Sequence, residues 1–93
     1  MMLVELVQIK KTRGKHYLSK IYLNPRHIVF ISEDSSMRNS INESSDLGLV
    51  PQTSFSTIRL NDNGLYSEIS VVGSPEMIES KIFTKKKQNI LRG

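Results

Sequence analysis

Residues 55–72 (FSTIRLNDNGLYSEISVV) alternate side chains with a period of two on both sides of a turn sequence. Ser56, Ile58 and Leu60 share one face of the first arm, and Phe55, Thr57 and Arg59 share the other. In the second arm Leu65, Ser67, Ile69 and Val71 oppose Tyr66, Glu68, Ser70 and Val72. Between them lies Asn61-Asp62-Asn63-Gly64, and Asn-Gly tolerates the positive φ of a tight hairpin. The pattern predicts a β-hairpin.

The N-terminal half is also β-rich. Residues 3–9 (LVELVQI) read as a strand with apolar positions on both faces. Residues 10–20 (KKTRGKHYLSK) are basic with Gly14 in the middle, and read as a hairpin connection or frayed tip. Residues 21–33 (IYLNPRHIVFISE) hold two short β runs split by Asn24-Pro25. Proline cannot donate to a ladder, so a bend is expected at Asn24-Pro25-Arg26, with a second strand from His27 to Ser32.

The pattern changes to a helical one after Gly73. Ser74 suits an N-cap, Pro75 the first helical position, and Glu76 the positive end of the helix dipole. Met77, Ile78 and Ile82 fall on one face, which is expected to pack on the sheet. Lys81, Lys85 and Lys86 suit a helix C-terminus, so the helix is expected to end near 84–86 and residues 87–93 to form a tail. Ile90 and Leu91 in that tail have the character to dock on a neighbouring subunit.

These elements predict a mainly β (α+β) fold in one domain over residues 1–93. It is a small antiparallel four- or five-stranded curled sheet with one short C-terminal helix over one face. One segment has no place in it. Residues 34–54 are polar, rich in Ser and Asn, and lack an apolar period. Connections in compact domains are usually about 4–6 residues, and long ones carry function or are disordered. Two readings stand for it: a disordered segment, and a lid over a ligand or subunit anchored by Met37, Ile41, Leu47, Leu49 and Val50.

Length limits the core. With 34–54 and the tail set aside, the packed unit is about 60–65 residues, which buries only about 60% of its unfolded surface. There is no Cys, and His16 and His27 are the only histidines, so neither a disulfide framework nor a Cys/His metal staple is available. No cofactor is expected. A homo-oligomer is, as the remaining common route to more burial.

The longest apolar run is Ile28-Val29-Phe30-Ile31, far short of the ~20 residues that span a bilayer. Residues 1–5 do not read as a signal peptide, and no membrane partner is expected. Cysteine-free composition fits a reducing compartment, and a cytoplasmic location is expected. The net charge of +4 is unevenly spread: residues 1–30 carry +5, residues 31–80 carry −6 and residues 81–93 carry +5. Basic ends suit an anionic ligand, charge complementarity between subunits, or plain solvated surface.

Met2-Leu3-Val4-Glu5-Leu6, Tyr22-Leu23-Asn24-Pro25, His27 to Glu33, Thr57 to Gly64 and Glu76 to Ile82 follow a recognisable order. Laid out this way the chain resembles the FlbD-like family of small proteins linked to flagella and swarming motility. Its members run an MIxL-type strand, a YLN-type strand, a D-L-I-E-x-I-E segment, a strand pair around L-x-N-G and a short helix. The resemblance covers about two-thirds of the chain and implies the architecture and a protein–protein adaptor role. The chain departs from it in the basic 10–20 stretch, the 34–54 segment and the basic tail. Small phage β modules that bind host factors or sequester nucleotides are a further analogy of scaffold, and a phage-encoded origin goes with it.

No catalytic pattern is present. There is no Cys nucleophile, no G-x-S-x-G, no P-loop and no metal-ligand spacing. Adjacent Glu33 and Asp34 point to opposite sides of a strand and do not share a proton or a metal. The chain is expected not to be an enzyme. The candidate ligand-binding residues are Lys11, Arg13, Lys15, His16 and Tyr17, with Lys10 alongside, and Arg26 and His27 at the bend. Arg offers a bidentate fork to phosphate, Gly14 allows close backbone approach, and Tyr17 offers a stacking surface. The expected ligand is a nucleotide-type signal molecule or a short nucleic acid; the alternative is a host-protein partner docked on a sheet edge or on 34–54.

Overall fold

The structure, a computed structural model, describes residues 2–36 and 53–92, with residues 85–92 as backbone only. Strands β1 (Val4–Thr12) and β2 (Lys15–Leu23) form a hairpin, and a 3-10 turn at Pro25–His27 leads to β3 (Ile28–Glu33). Strands β4 (Phe55–Asp62) and β5 (Leu65–Val72) form a second hairpin, and helix α1 (Pro75–Arg92) ends the chain. The strands make one antiparallel sheet in the order β2-β1-β5-β4-β3. The mainly β architecture with one C-terminal helix is the one expected.

Both hairpins turn in the same way. Arg13 and Gly14 have φ of 53° and 79°, and Asn63 and Gly64 have 53° and 89°. Positive φ at both central residues is the type I′ turn, whose twist matches the strands it joins. Asn61 Oδ1 accepts a 2.9 Å hydrogen bond from the Gly64 N–H. Residues 10–20, read as an extended hairpin connection or a frayed tip, are regular paired strand on both sides of the turn. Strand pairing runs unbroken from Val4↔Leu23 to Thr12↔Lys15, leaving only two residues in the turn. At the bend, Asn24 Oδ1 caps the 3-10 turn by accepting from the Arg26 N–H at 3.0 Å.

The register forces the sheet to roll. Ile9, Ser70, Thr57 and Ser32 form one cross-sheet row. From that row Leu23 lies five steps in one direction and Ile28 three in the other. In a flat sheet they would be about 19 Å apart across the strands and about 26 Å along them. Only four residues separate them, with a reach of about 18 Å. The two edge strands must therefore curl toward each other. Their side chains agree: Ile21 and Leu23 of β2 and Ile28 and Ile31 of β3 pack on one core of Val4, Leu6, Ile58, Val71 and Ile78.

Helix α1 packs on this inner face. Ser74 Oγ accepts from the Met77 N–H at 3.2 Å, and Ser74 O accepts from the Ile78 N–H at 3.1 Å. Ile78 is fully buried and Ile82 packs beside it, but Met77 is 44% exposed and lies outside the core, contrary to expectation. The helix also continues to Arg92 instead of ending near 84–86, so 87–92 is helical and not a tail. Lys, Gln and Leu are good helix formers, and no Gly or Pro interrupts them before Gly93.

The 34–54 segment leaves and re-enters the sheet at one place. The Asp34 N–H donates to Phe55 O at 2.8 Å and the Thr57 hydroxyl donates to Asp34 Oδ2 at 3.1 Å. Ser54 O accepts from the Gly73 N–H at 2.7 Å. Residues 37–52, on which the lid and disorder readings depend, lie outside the described residues.

Candidate functional site

The basic segment of the sequence is the outer half of the β1–β2 hairpin. Pairing of β1 with β5 is confined to Gln8↔Val71 and Ile9↔Ser70, whereas pairing with β2 goes on to Thr12. Past Ile9 the hairpin is thus a two-stranded arm. Side chains of directly paired residues lie on the same face, and faces alternate along each strand. Lys10, Thr12, Lys15 and Tyr17 fall on the face continuous with the core, while Lys11 and His16 fall on the other. Arg13 occupies the turn.

Lys10, Lys11, Arg13 and Lys15 are all exposed. The ion pairs among the described residues are Lys20–Glu5 and Arg59–Glu68, both at 3.2 Å, so none of the four is neutralised there. Tyr17 is half exposed and Leu18 is 40% exposed. His16 behaves differently. Its Nε2 is closed off from solvent and has no hydrogen-bond partner among the described residues.

Arg26 and His27 do not join this group. They follow the far end of β2, which from Lys15 to Leu23 runs about 26 Å. The three residues from Leu23 to Arg26 cannot return the chain to the arm's tip. The two sets read together in the sequence are separate in space, and only Lys11, Arg13, Lys15 and Tyr17, with Lys10, form one exposed cluster.

A concave feature that sequence reasoning missed lies away from the arm. A cleft of about 710 Å³ opens between the start of β1, the end of β2 and α1. Leu3, Val4 and Met77 give it apolar walls, and Glu5, Tyr22 and Lys81 give it polar ones. Glu5 Oε1 accepts from Lys20 Nζ and from the Tyr22 hydroxyl, each at 3.2 Å. The Lys20 ammonium, then the Tyr22 hydroxyl, hold the Glu5 carboxyl below its usual range. In return the Glu5 carboxylate, as acceptor and as charge, raises the Tyr22 phenol above its usual range. No sequence signal joins these groups, because Glu5 and Tyr22 meet only through the register of β1 on β2.

Among the described residues no group of three or more His, Cys, Asp or Glu is placed to hold a metal ion. No described helix is long and apolar enough to cross a membrane. Compared with protein families, with curated proteins and with solved structures, the chain finds no match.

Proposed function

We propose that this protein is a non-enzymatic binding module that captures an anionic, phosphate-bearing ligand, with the β1–β2 arm as its contact surface. The observation that carries this reading is the set of four exposed cations, Lys10, Lys11, Arg13 and Lys15, on one short arm, none of them in an ion pair among the described residues. Cations that fold back on acids of their own chain serve stability; cations held apart from acids on a ribbon keep their charge for a partner. Arg13, fixed by its turn at the apex, supplies the bidentate fork, and Tyr17 beside Lys10 supplies a face for a base.

Self-association belongs to this reading. The core is small, and β2 is an open edge nine residues long. Val29, Phe30, Leu65 and Phe83 are exposed apolar side chains that a second copy would cover. Native mass spectrometry reports subunit count and any retained ligand together. For the ligand, thermal shift with a panel of nucleotides and short oligonucleotides is the test. Arg13→Ala/Lys15→Ala abolishes the ligand-dependent shift if the arm is the contact surface, and an unchanged shift rejects it.

The open β2 edge also favours a second reading, a protein–protein adaptor that accepts a strand from a host protein, as the FlbD-like resemblance implies. A single host protein recovered in a pull-down that survives high salt supports the adaptor, since strand addition is not carried by charge.

A further inference from the structure

From the placement of charge on the arm we infer that its ligand is B-form duplex DNA, with the ribbon seated in the major groove. The inference rests on the anion-binding reading above and narrows it to one kind of ligand. Three observations lead there.

The arm is a two-stranded ribbon. Beyond Ile9 it pairs with no third described strand, and Lys10, Lys11, Arg13, Lys15, Tyr17 and Leu18 are exposed around it. A free nucleotide is held in a concavity that buries most of its surface. The cleft of this chain lies instead at the base of the hairpin, where Glu5 places a carboxylate. An exposed ribbon suits a ligand that itself supplies the concave surface.

Cations stand on both faces. Lys10 and Lys15 fall on one side of the ribbon and Lys11 on the other, with Arg13 at the apex. A ribbon lying flat on a single line of phosphates would use one face and leave the other side's charge idle. A ribbon between two lines of phosphates uses both. The major groove has such walls, is about 12 Å wide and admits a two-stranded β-ribbon. The arm is one interstrand spacing of about 4.8 Å plus side chains across, which fits. The A-form RNA major groove is too narrow and deep for side chains to read, and a single strand has no second wall.

Two acids are engaged elsewhere. Glu5 is paired with Lys20 and Glu68 with Arg59, and neither is on the arm. The charge of these two carboxylates is met by cations other than Lys10, Lys11, Arg13 and Lys15.

With four phosphate contacts the slope of log affinity against log salt is about −3.6, a loss of roughly 100-fold between 50 and 200 mM salt. The experiment measures fluorescence anisotropy of the full chain with a 16-base-pair DNA duplex, its single strand, the matching RNA duplex and a nucleoside triphosphate. The inference expects the DNA duplex to bind most tightly. It expects Lys11→Ala to flatten the salt slope by about 0.9, and Lys10→Ala/Lys15→Ala by about twice that. In the wild-type complex, amine labelling read by mass spectrometry should show Lys10, Lys11 and Lys15 protected together, which needs no variant to fold. Equal binding of the single strand or the RNA duplex, or protection confined to one face, overturns groove insertion and leaves the anion reading standing. Tightest binding of the triphosphate does the same. Failure of all four ligands to bind overturns both.

Discussion

Gly73 is where β5 hands over to α1, and replacing it with Ala tests how firmly the helix is tied to the sheet. Its φ is +123°, a region open to Gly and costly for side-chain-bearing residues. The residue cannot easily relax, because it is held on both sides. Its N–H donates to Ser54 O and its C=O accepts from the buried Ser56 hydroxyl, each at 2.7 Å. A Cβ at this position would also run into the Met77 Cε methyl. Backbone strain of this kind costs about 1–3 kcal/mol. Displacing Met77 into a poorer rotamer adds about 0.5–1.5 kcal/mol. The sum, about 1.5–4.5 kcal/mol, lowers the Tm by roughly 6–36 °C for a domain of this size. Circular dichroism during heating measures it. Gly64→Ala is the comparison: its φ is 89°, but a Cβ there meets nothing within 4 Å. It should pay for backbone conformation alone and lose less. Gly73→Ala/Met77→Ala separates the two terms, since half-exposed Met77 contributes little by itself. The double variant should recover only the smaller, side-chain part. A Gly73→Ala protein that melts within two or three degrees of the wild type refutes the reasoning, and full recovery in the double variant refutes the backbone term.

Ile78→Ala empties the centre of the helix–sheet contact, where Ile78 is fully buried, and should cost about 2–5 kcal/mol in denaturant unfolding. A loss below 1 kcal/mol would mean that the helix is not part of the core. Ser56→Ala removes the donor to Gly73 O in a buried setting and should cost about 1–3 kcal/mol by the same assay, while Ser32→Ala, on an exposed position of β3, should change little. Glu5 has a folded-state pKa below its unfolded one, so its stabilisation is present above about pH 4.3 and fades as pH falls through the folded value. Tyr22 is the opposite case: its pKa is raised on folding, so its contribution is present below about pH 10 and is lost as pH rises through the folded value. Glu5→Gln should remove both effects, and absorbance titration of the phenols should show the latest-ionising tyrosine moving to lower pH; no movement would deny the Glu5–Tyr22 contact.

Much of the architecture follows from local pattern. The period-two alternation of 55–72 around Asn63-Gly64 specifies the β4–β5 hairpin and its inner face, where Ile58, Leu60, Ile69 and Val71 pack on the core. Ser74-Pro75 specifies where α1 begins, because capping is a local interaction. The basic character of 10–18 was equally plain, but its regular strand structure was not. Beyond Ile9 the ribbon pairs with no third described strand, its side chains are mostly polar and exposed, and the hydrophobic alternation that signals a strand disappears.

Long-range pairing decided the rest. The β1–β5 ladder, joining residues more than sixty positions apart, closes the sheet, and no local preference encodes it. Strand alternation then divided the arm's cations between two faces and kept Arg26 and His27 at the far end of β2. The same register joined Glu5 to Tyr22 and Lys20. Side-chain chemistry and turn preference are properties of neighbouring residues, so the chain alone states them. Which charges stand side by side depends on which strands pair and in what register, and that is settled only when the apolar faces are buried together.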